Sequence, residues 1–394
     1  MNNWNFCKLK NITKKIGSGA TPRGGGDTYI EEGISLIRSQ NIYDMSFSVA
    51  GLAHISEEQA YELRNVSLEP NDVLLNITGD SVARCCIVPD FILPARVNQH
   101  VAIIRADLNK AVPKFIQYSL CLNKENLLMM SEIGATRKAL TKGMIEDFEI
   151  LIPPISEQQA IAEVLSSLDD KIDLLHRNNK TLEEMAETLF RQWFVEGVKE
   201  DWVTYRLDDI SEHIKKSINP QKTEVTHFNH YSLPAFDNGK KPEYVDALSV
   251  LSNKYLVQTN DILISKLNPR TPRVWMIGKN QEESVCSTEF QVYRAKENEY
   301  KNIIYCFLKT QYVCDVLSGA ASGTSGSHQR VNPEDISSLE IALPLNEAII
   351  QKFHSITESI FIKVENNLKN ISVLEKTRDT LLPKLMSGQV RVIS

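Results

Sequence analysis

The side chains best suited to chemistry in this chain sit in short polar loops rather than in a compact catalytic motif. In the first half they are Arg38-Ser39-Gln40-Asn41, Arg84 at the end of a Thr-Gly-Asp-Ser turn, Arg96 with Asn98-Gln99, and Arg137-Lys138. In the second half they are His230, Lys266, Arg270 and Arg273 within Lys266-Leu-Asn-Pro-Arg-Thr-Pro-Arg273, Ser287, and Gln329-Arg330 at the end of a Ser/Gly-rich stretch. Guanidinium forks pair with guanine, and Asn or Gln amides with adenine. Hydroxyls, lysines and backbone amides suit phosphate. These seventeen positions are therefore candidate DNA contacts.

Catalytic patterns are missing by comparison. The loop Gly17-Ser-Gly-Ala-Thr-Pro-Arg-Gly-Gly-Gly26 lacks the lysine that completes a nucleotide-phosphate cradle. Asn268-Pro-Arg-Thr271 is not the Asn/Asp-Pro-Pro-aromatic motif of amino-methyltransferases. His227 and His230 have HxxH spacing without acidic or cysteine partners nearby, so no metal is expected. No nucleophile elbow supports a Ser-His-Asp triad. The expectation is a non-enzymatic chain with no catalytic residues and no cofactor of its own.

The elements that position these loops belong to an ordinary soluble protein. Of 394 residues 42% are hydrophobic and 24% charged, enough for two to three domains with real cores. No apolar run reaches the ~18–20 residues of a membrane span, and Met1–Gly17 does not read as a signal peptide. Seven cysteines, none in a CxxC pair, read as free thiols in a reducing cytoplasm. The net charge of -6 divides as -1 over 1–155 (16 basic, 17 acidic), -5 over 156–200 (5, 10), -2 over 201–345 (16, 18) and +2 over 346–394 (7, 5). Most of the acidity thus lies outside the two near-neutral domains, which leaves room for a basic face on either.

The chain is also written twice. Leu182, Glu183, Thr188 and Leu189 recur as Leu374, Glu375, Thr380 and Leu381, an offset of 192. Phe148-Glu-Ile-Leu-Ile-Pro153 matches Leu339-Glu-Ile-Ala-Leu-Pro344, Asn71-Asp-Val-Leu-Leu75 matches Asn260-Asp-Ile-Leu-Ile264, and Trp4, Leu9 and Ile12 match Trp202, Leu207 and Ile210. The order is kept along half the chain. Residues 17–70 and 215–259 do not match, so the copies are expected to share a scaffold and differ in their loops.

Two long helices follow from heptad spacing. Ser156 and Gln159 form a capping-box pattern after Pro153-Pro154. Ile161, Leu165, Leu168, Ile172, Leu175, Asn179 and Leu182 then step by fours and threes towards Ala186, Leu189 and Trp193, with Gly197 as the stop. About 40 residues make a rod of about 60 Å. The second seam reads Ile349, Phe353, Ile356, Ile360, Val364, Asn367, Ile371 and Leu374, with a stutter at Ile356–Ile360–Val364 and Pro383 as the end or a kink. Each seam needs cover, most economically the other helix. Phe190, Phe194 and Val195 lie off the seam and suggest a further surface.

Strands are expected at Ile34–Ile37, Val73–Ile77, Val101–Ile104, Asp261–Ile264 and Phe290–Tyr293, and helices near 114–130 and 300–317. The fold class is α+β: two tandem mixed α/β domains, 1–155 and 198–345, joined by two long helices, 156–197 and 346–394, packed as an antiparallel coiled coil.

The whole pattern resembles the specificity (S) subunits of type I restriction-modification systems. The carriers are Trp4…Leu9…Ile12 with Ser18-Gly-Ala-Thr-Pro22, Ile34-Ser-Leu-Ile-Arg-Ser-Gln-Asn41, Asp72-Val-Leu-Leu75, Asn98-Gln-His100, Ile152-Pro-Pro-Ile-Ser-Glu-Gln-Gln159 and Leu374…Asp379-Thr-Leu-Leu-Pro-Lys-Leu-Met-Ser-Gly388. The second half departs most near 217–259, which lacks a Ser-Gly-Ala-Thr-Pro counterpart. The resemblance implies two target-recognition domains that each read half of a split double-stranded DNA site, with the helices setting the spacer. It also implies two methyltransferase (M) subunits carrying S-adenosylmethionine for N6-adenine methylation, and two restriction (R) subunits using ATP and Mg2+. A methylation-only or type II system with a similar subunit, or a coiled-coil adaptor that binds protein only, would share much of this pattern.

Overall fold

The computed structural model describes residues 4–132, 138–279, 283–321 and 330–392. The chain forms two compact units, residues 1–174 with 370–394, and residues 175–369. Each unit takes one half of each long helix, Ile155–Phe194 and Glu347–Met386. The boundaries thus cut through the helices rather than between helix and domain.

Each unit is built on the same four-stranded antiparallel sheet. In the first unit the order is Thr13–Ser18, Val101–Ala106, Val73–Asn76, Cys85–Ile87. In the second it is Ser211–Ile214, Phe290–Ala295, Ile262–Ser265, Val274–Met276. All four residues of Val73–Asn76 and of Ile262–Ser265 are buried, as central strands covered on both faces require. Helices Pro113–Leu122 and Lys301–Leu308 supply much of that cover. A two-stranded ribbon brackets each domain: Asn5–Lys8 pairs with Glu149–Ile152, and Val203–Arg206 with Glu340–Leu343.

The regions whose sequences do not match nevertheless share a topology. Ile34–Ile37 runs parallel to Ala95–Val97 and antiparallel to Ala53–Ile55. Likewise His227–Tyr231 runs parallel to Ser284–Cys286 and antiparallel to Glu243–Asp246. The second copy adds Lys254–Val257 on the far side of Ser284–Cys286. The first copy keeps only an isolated bridge there, Ser67 to Arg96.

The helices pack both on their own domain and on each other within each unit. In the first unit Ile161 and Leu165 share one core with Leu382, Leu385 and Met386. Asp169 bridges the two helices through Arg378 at 3.0 Å and the domain through the Tyr118 hydroxyl, which donates to it at 2.6 Å. In the second unit Asn367 Nδ2 donates to Asn179 Oδ1 at 2.7 Å, both residues buried. Phe353 lies 6.2 Å and 5.0 Å from the rings of Phe190 and Phe194. As the first index rises from 179 to 190 the partner index falls from 367 to 353, so the segments run antiparallel.

Several expected details are corrected. Ile356 is 38% exposed and Thr357 is fully buried in its place. The buried positions are Ile350, Phe353, Thr357, Ile360, Val364, Asn367 and Ile371, alternating three and four without a stutter. Thr357 can occupy the seam because its hydroxyl donates to Phe353 O at 2.8 Å and accepts from Asn302 Nδ2 at 3.0 Å. Leu168, Leu182 and Leu374 are half-buried, whereas Ile172 and Leu175 are buried. The central helix starts at Ile155, so Ser156 is not its cap. Instead buried Gln158 donates to Pro153 O and Lys110 O and accepts from Val112 N. The helix ends at Phe194, where Gly197 fits so close to the Gln192 and Trp193 carbonyls that a Cβ would meet them at 2.8 and 2.9 Å. Pro383 neither ends nor is followed at once by the end of its helix, which runs to Met386. Phe190 and Phe194 belong to the core, and Val195 is exposed.

Candidate nucleic-acid interface

In each copy the loops leaving one end of the central sheet converge through the same set of backbone hydrogen bonds. Asn76 N donates to Arg84 O at 2.9 Å, and 189 positions on Ser265 N donates to Arg273 O at 3.0 Å. Ile77 N donates to His100 O, and Lys266 N to Glu289 O. Leu140 N donates to Ile77 O, and Val331 N to Lys266 O. Asn98 N donates to Ile37 O, and Ser287 N to Tyr231 O. The turn residues match too: Gly79 has φ 78° and Asn268 φ 54°, a left-handed conformation that Gly and Asn tolerate best.

This shared frame carries different side chains. Arg84 corresponds to Arg273, Asn98 to Ser287, His100 to Glu289, Ile77 to Lys266, and Thr78 to Leu267. Rigid backbone with variable side chains is how a scaffold presents loops for recognition.

In the first copy the buried hub is Asn76, whose Nδ2 donates to Ser39 O at 2.9 Å and Ser81 Oγ at 3.1 Å. It ties the Arg38 loop to the Arg84 loop. Gly19 closes the frame from a third side: a Cβ there would stand 2.1 Å from Val97 O and 2.3 Å from Asn98 O. Neither Asn76 nor Gly19 was among the expected site residues. The signal for Asn76 was its place one residue after the repeated Asn-Asp-Val-Leu-Leu; the signal for Gly19 was its place in Ser18-Gly-Ala-Thr-Pro22, one of the carriers of the family resemblance.

The expected contact residues separate into those free to reach out and those used internally. Arg84 is half-buried with its guanidinium 4.9 Å from the Tyr43 ring centroid. Gln99 is exposed beside Thr21 and His100. Gln40 is exposed, with Nε2 on Gly51 O. Lys138 is exposed and paired with Glu132 at 2.8 Å, a hydrogen bond that raises its pKa. Arg38 is half-buried against Gly51 O and the Tyr29 ring, and Ser39 is half-buried. In the second copy Arg270 is exposed and Lys266 half-buried. Arg330 is exposed and donates to Glu289 Oε1 at 2.9 Å. Ser287 Oγ accepts from Glu289 N at 3.2 Å. Arg137 and Gln329 lie outside the described residues.

Five expected contacts are turned inward or already paired. Asn41 is fully buried, accepting from Arg38 N and donating to Ser48 O and Ala50 O, so its amide holds the loop rather than facing outward. Arg96 donates to Ala60 O and Ala95 O, and burial lowers its pKa. Asn98 is buried with Oδ1 accepting from His100 N. Arg273 makes a two-pronged pair with Asp237, 2.7 and 2.9 Å, which raises its pKa and leaves its fork occupied. His230 has a buried Nε2 without a hydrogen-bond partner; burial, then Lys254, push its pKa down to about 4. His227 stacks on Tyr244 at 4.9 Å. Among the described residues no three His, Cys, Asp or Glu side chains gather as a metal site, and no helix is long and apolar enough to cross a membrane.

One ion network anchors the second domain to its helix. Glu183 receives Lys240 and Lys309, each at 3.0 Å, and Lys309 also reaches Glu187. Burial opposes ionisation of Glu183, but the two ammonium groups outweigh it and hold its carboxyl below the ordinary range.

The comparisons with known proteins agree with this architecture. The family described as the type I restriction modification DNA specificity domain matches residues 1–184 and again 199–375. The type I restriction enzyme MjaIX specificity subunit of Methanocaldococcus jannaschii is 26% identical, covering 99% of this chain and 94% of that protein. The putative MjaX specificity subunit of the same organism is 21% identical over the same shares. A crystal structure of the type I restriction-modification system S subunit from M. genitalium superposes with a TM-score of 0.58 at 15% identity, covering 98% of this chain and 97% of that one, which is a shared fold. With its two domain matches covering most of the sequence, the chain belongs to the type I restriction modification DNA specificity domain family.

Proposed function

We propose that this chain is the DNA-reading, non-catalytic subunit of a type I restriction-modification complex in the cytoplasm. Each domain's loop cluster reads one half of a bipartite, asymmetric site in double-stranded DNA, and the long helices fix the unread spacer. Two M subunits bring S-adenosylmethionine for N6-adenine methylation. Two R subunits bring ATP- and Mg2+-dependent cleavage. The observation that carries this reading is the duplicated backbone frame with divergent side chains: one geometry used twice, with different chemistry at matching positions.

Arg84, Gln99, Lys138, Lys266, Arg270 and Arg330 are the outward contacts of the two clusters, with Arg38, Ser39, Gln40 and Ser287 beside them. Salt titration of the purified complex with M subunits on duplex DNA tests the reading. Affinity should fall log–log with salt, with a slope of about -0.9 per phosphate contact. Salt-independent or sequence-blind binding would instead fit a protein-only adaptor. A one-heptad insertion before Gly197 should change the accepted spacer; an unchanged spacer would contradict the role of the helices.

A further inference from the structure

The loop frame fixes one position in each copy through four equivalent hydrogen bonds. In the second copy Ser287 N donates to Tyr231 O, Glu289 N to Ser287 Oγ, Phe290 N to Ser287 O, and Lys266 N to Glu289 O. In the first copy the same four bonds run from Asn98 N to Ile37 O, His100 N to Asn98 Oδ1, Val101 N to Asn98 O, and Ile77 N to His100 O. Even the side-chain acceptor is replaced in kind, Asn98 Oδ1 by Ser287 Oγ. Residues 100 and 289 therefore leave an equivalent, pinned backbone and differ only in side chain.

The two side chains differ in hydrogen-bond character: a neutral imidazole both donates and accepts, a carboxylate only accepts. His100 Nδ1 shares a hydrogen with the Thr78 hydroxyl, and its Nε2 lies 3.1 Å from Gln99 Nε2. Glu289 is a pure acceptor when ionised. Its Oε1 takes the Arg330 guanidinium at 2.9 Å, while its Oε2 is buried with no hydrogen-bond partner. The Glu289 side chain is 32% exposed and its partner Arg330 63% exposed, so the pair stands at the surface of the loop cluster although Oε2 itself is covered.

We propose that positions 100 and 289 are a matched pair of specificity determinants, and that Glu289 selects a C·G base pair in the half-site read by the second domain. This rests on the DNA-reading function proposed above. Among bases in the major groove, cytosine offers N4–H donors without an adjacent acceptor, whereas adenine sets N7 beside its N6–H group. The Glu289 carboxylate, on a side chain that is 32% exposed, supplies the acceptor that cytosine needs. Arg330 supplies the donors that suit O6 and N7 of the paired guanine.

The test is selection from a randomised duplex DNA library by the full complex with M subunits, comparing wild type, Glu289→Gln and His100→Ala. Glu289→Gln keeps the side-chain shape but puts an amide in place of the carboxylate. It should weaken the preference for cytosine at one position of one half-site by about 5- to 150-fold, leaving the other half-site and the thermal midpoint unchanged. His100→Ala should alter only the other half-site. An unchanged motif for Glu289→Gln, loss at both half-sites together, or a lowered thermal midpoint with general loss of binding would each overturn the proposal. If wild type selects no motif at all, the DNA-reading function itself fails and this assignment falls with it.

Discussion

Asp72 and Arg105 form a two-pronged ion pair, 2.8 Å at each contact, with the carboxylate completely buried. Asp261 and Arg294 repeat it at 2.7 and 2.9 Å in the second domain, again with the carboxylate completely buried. In both copies an Asn precedes the Asp with positive φ, 67° at Asn71 and 71° at Asn260. In both the Asp also accepts a backbone N–H three residues upstream, from Glu69 or Gln258. The pair thus fastens a tight turn to the central sheet on the way into the strand whose far end opens the loop frame.

A buried pair that loses one member leaves an uncompensated charge. Asp72→Ala should therefore destabilise the first unit by about 3–5 kcal/mol, and Asp261→Ala the second by a similar amount. Chemical denaturation with hydrogen exchange resolved by unit would show which sheet loosens. A loss below about 1 kcal/mol in either would contradict the anchoring role.

Asn179 and Asn367 should behave differently. Asn179 Nδ2 is buried without a partner, so the pair is only partly satisfied. Asn367→Leu alone strands the remaining amide and should cost about 1–3 kcal/mol. The double change to Leu at both positions should restore stability to the wild-type level or above, while relaxing the helix register that a seam Asn fixes. A double variant less stable than either single variant would argue that the pair is a net stabiliser.

The two equivalent arginines should part company. Arg84→Ala should leave the unfolding midpoint unchanged and weaken DNA binding; if Arg84 reads guanine, discrimination at that base should fall by about 1–3 kcal/mol. Arg273 is held by Asp237, so Arg273→Ala should show first in the stability of the second domain. Equal loss of stability from both variants would remove the distinction.

The repeat, the core strands and the two helices were legible because hydrophobic period and turn chemistry are local. Ile34–Ile37 was placed to the residue and the other four expected strands to within two, whereas Thr13–Ser18, Cys85–Ile87, Ser211–Ile214 and Val274–Met276 of the core sheets were not expected. The stutter was misread because Ile356 is apolar and Thr357 polar, while burial follows heptad geometry and a local hydroxyl bond satisfies Thr357. Pro383 does not end its helix, because a proline near a helix end can be carried into the last turn. The loops were harder. Asn41 and Arg96 have the right chemistry for bases, but sequence does not show that nearby backbone carbonyls already occupy them. The shared topology of 17–70 and 215–259 was invisible because it rests on backbone pairing rather than matched residues.

His230 predicts a pH effect. Its folded pKa, about 4, lies below its ordinary value of 6.5, because burial disfavours the charged ring. The unfolded chain therefore binds a proton first. The contribution of neutral His230 to stability is present above pH 6.5 and is lost as pH falls from there towards 4. His230→Gln should flatten the decline in thermal midpoint between pH 6.5 and 5, above the range where most carboxylates titrate. An identical decline in both proteins would contradict the assignment.

The most direct measurement is a genome-wide map of methylated adenines in a host carrying this subunit with its M partner, beside the same host carrying Arg84→Ala. The wild-type map should give one asymmetric, two-part motif with a fixed unread spacer, and Arg84→Ala should relax only one part. An absence of any motif, or a continuous symmetric motif that Arg84→Ala leaves unchanged, would contradict two different half-sites read by two copies of one frame.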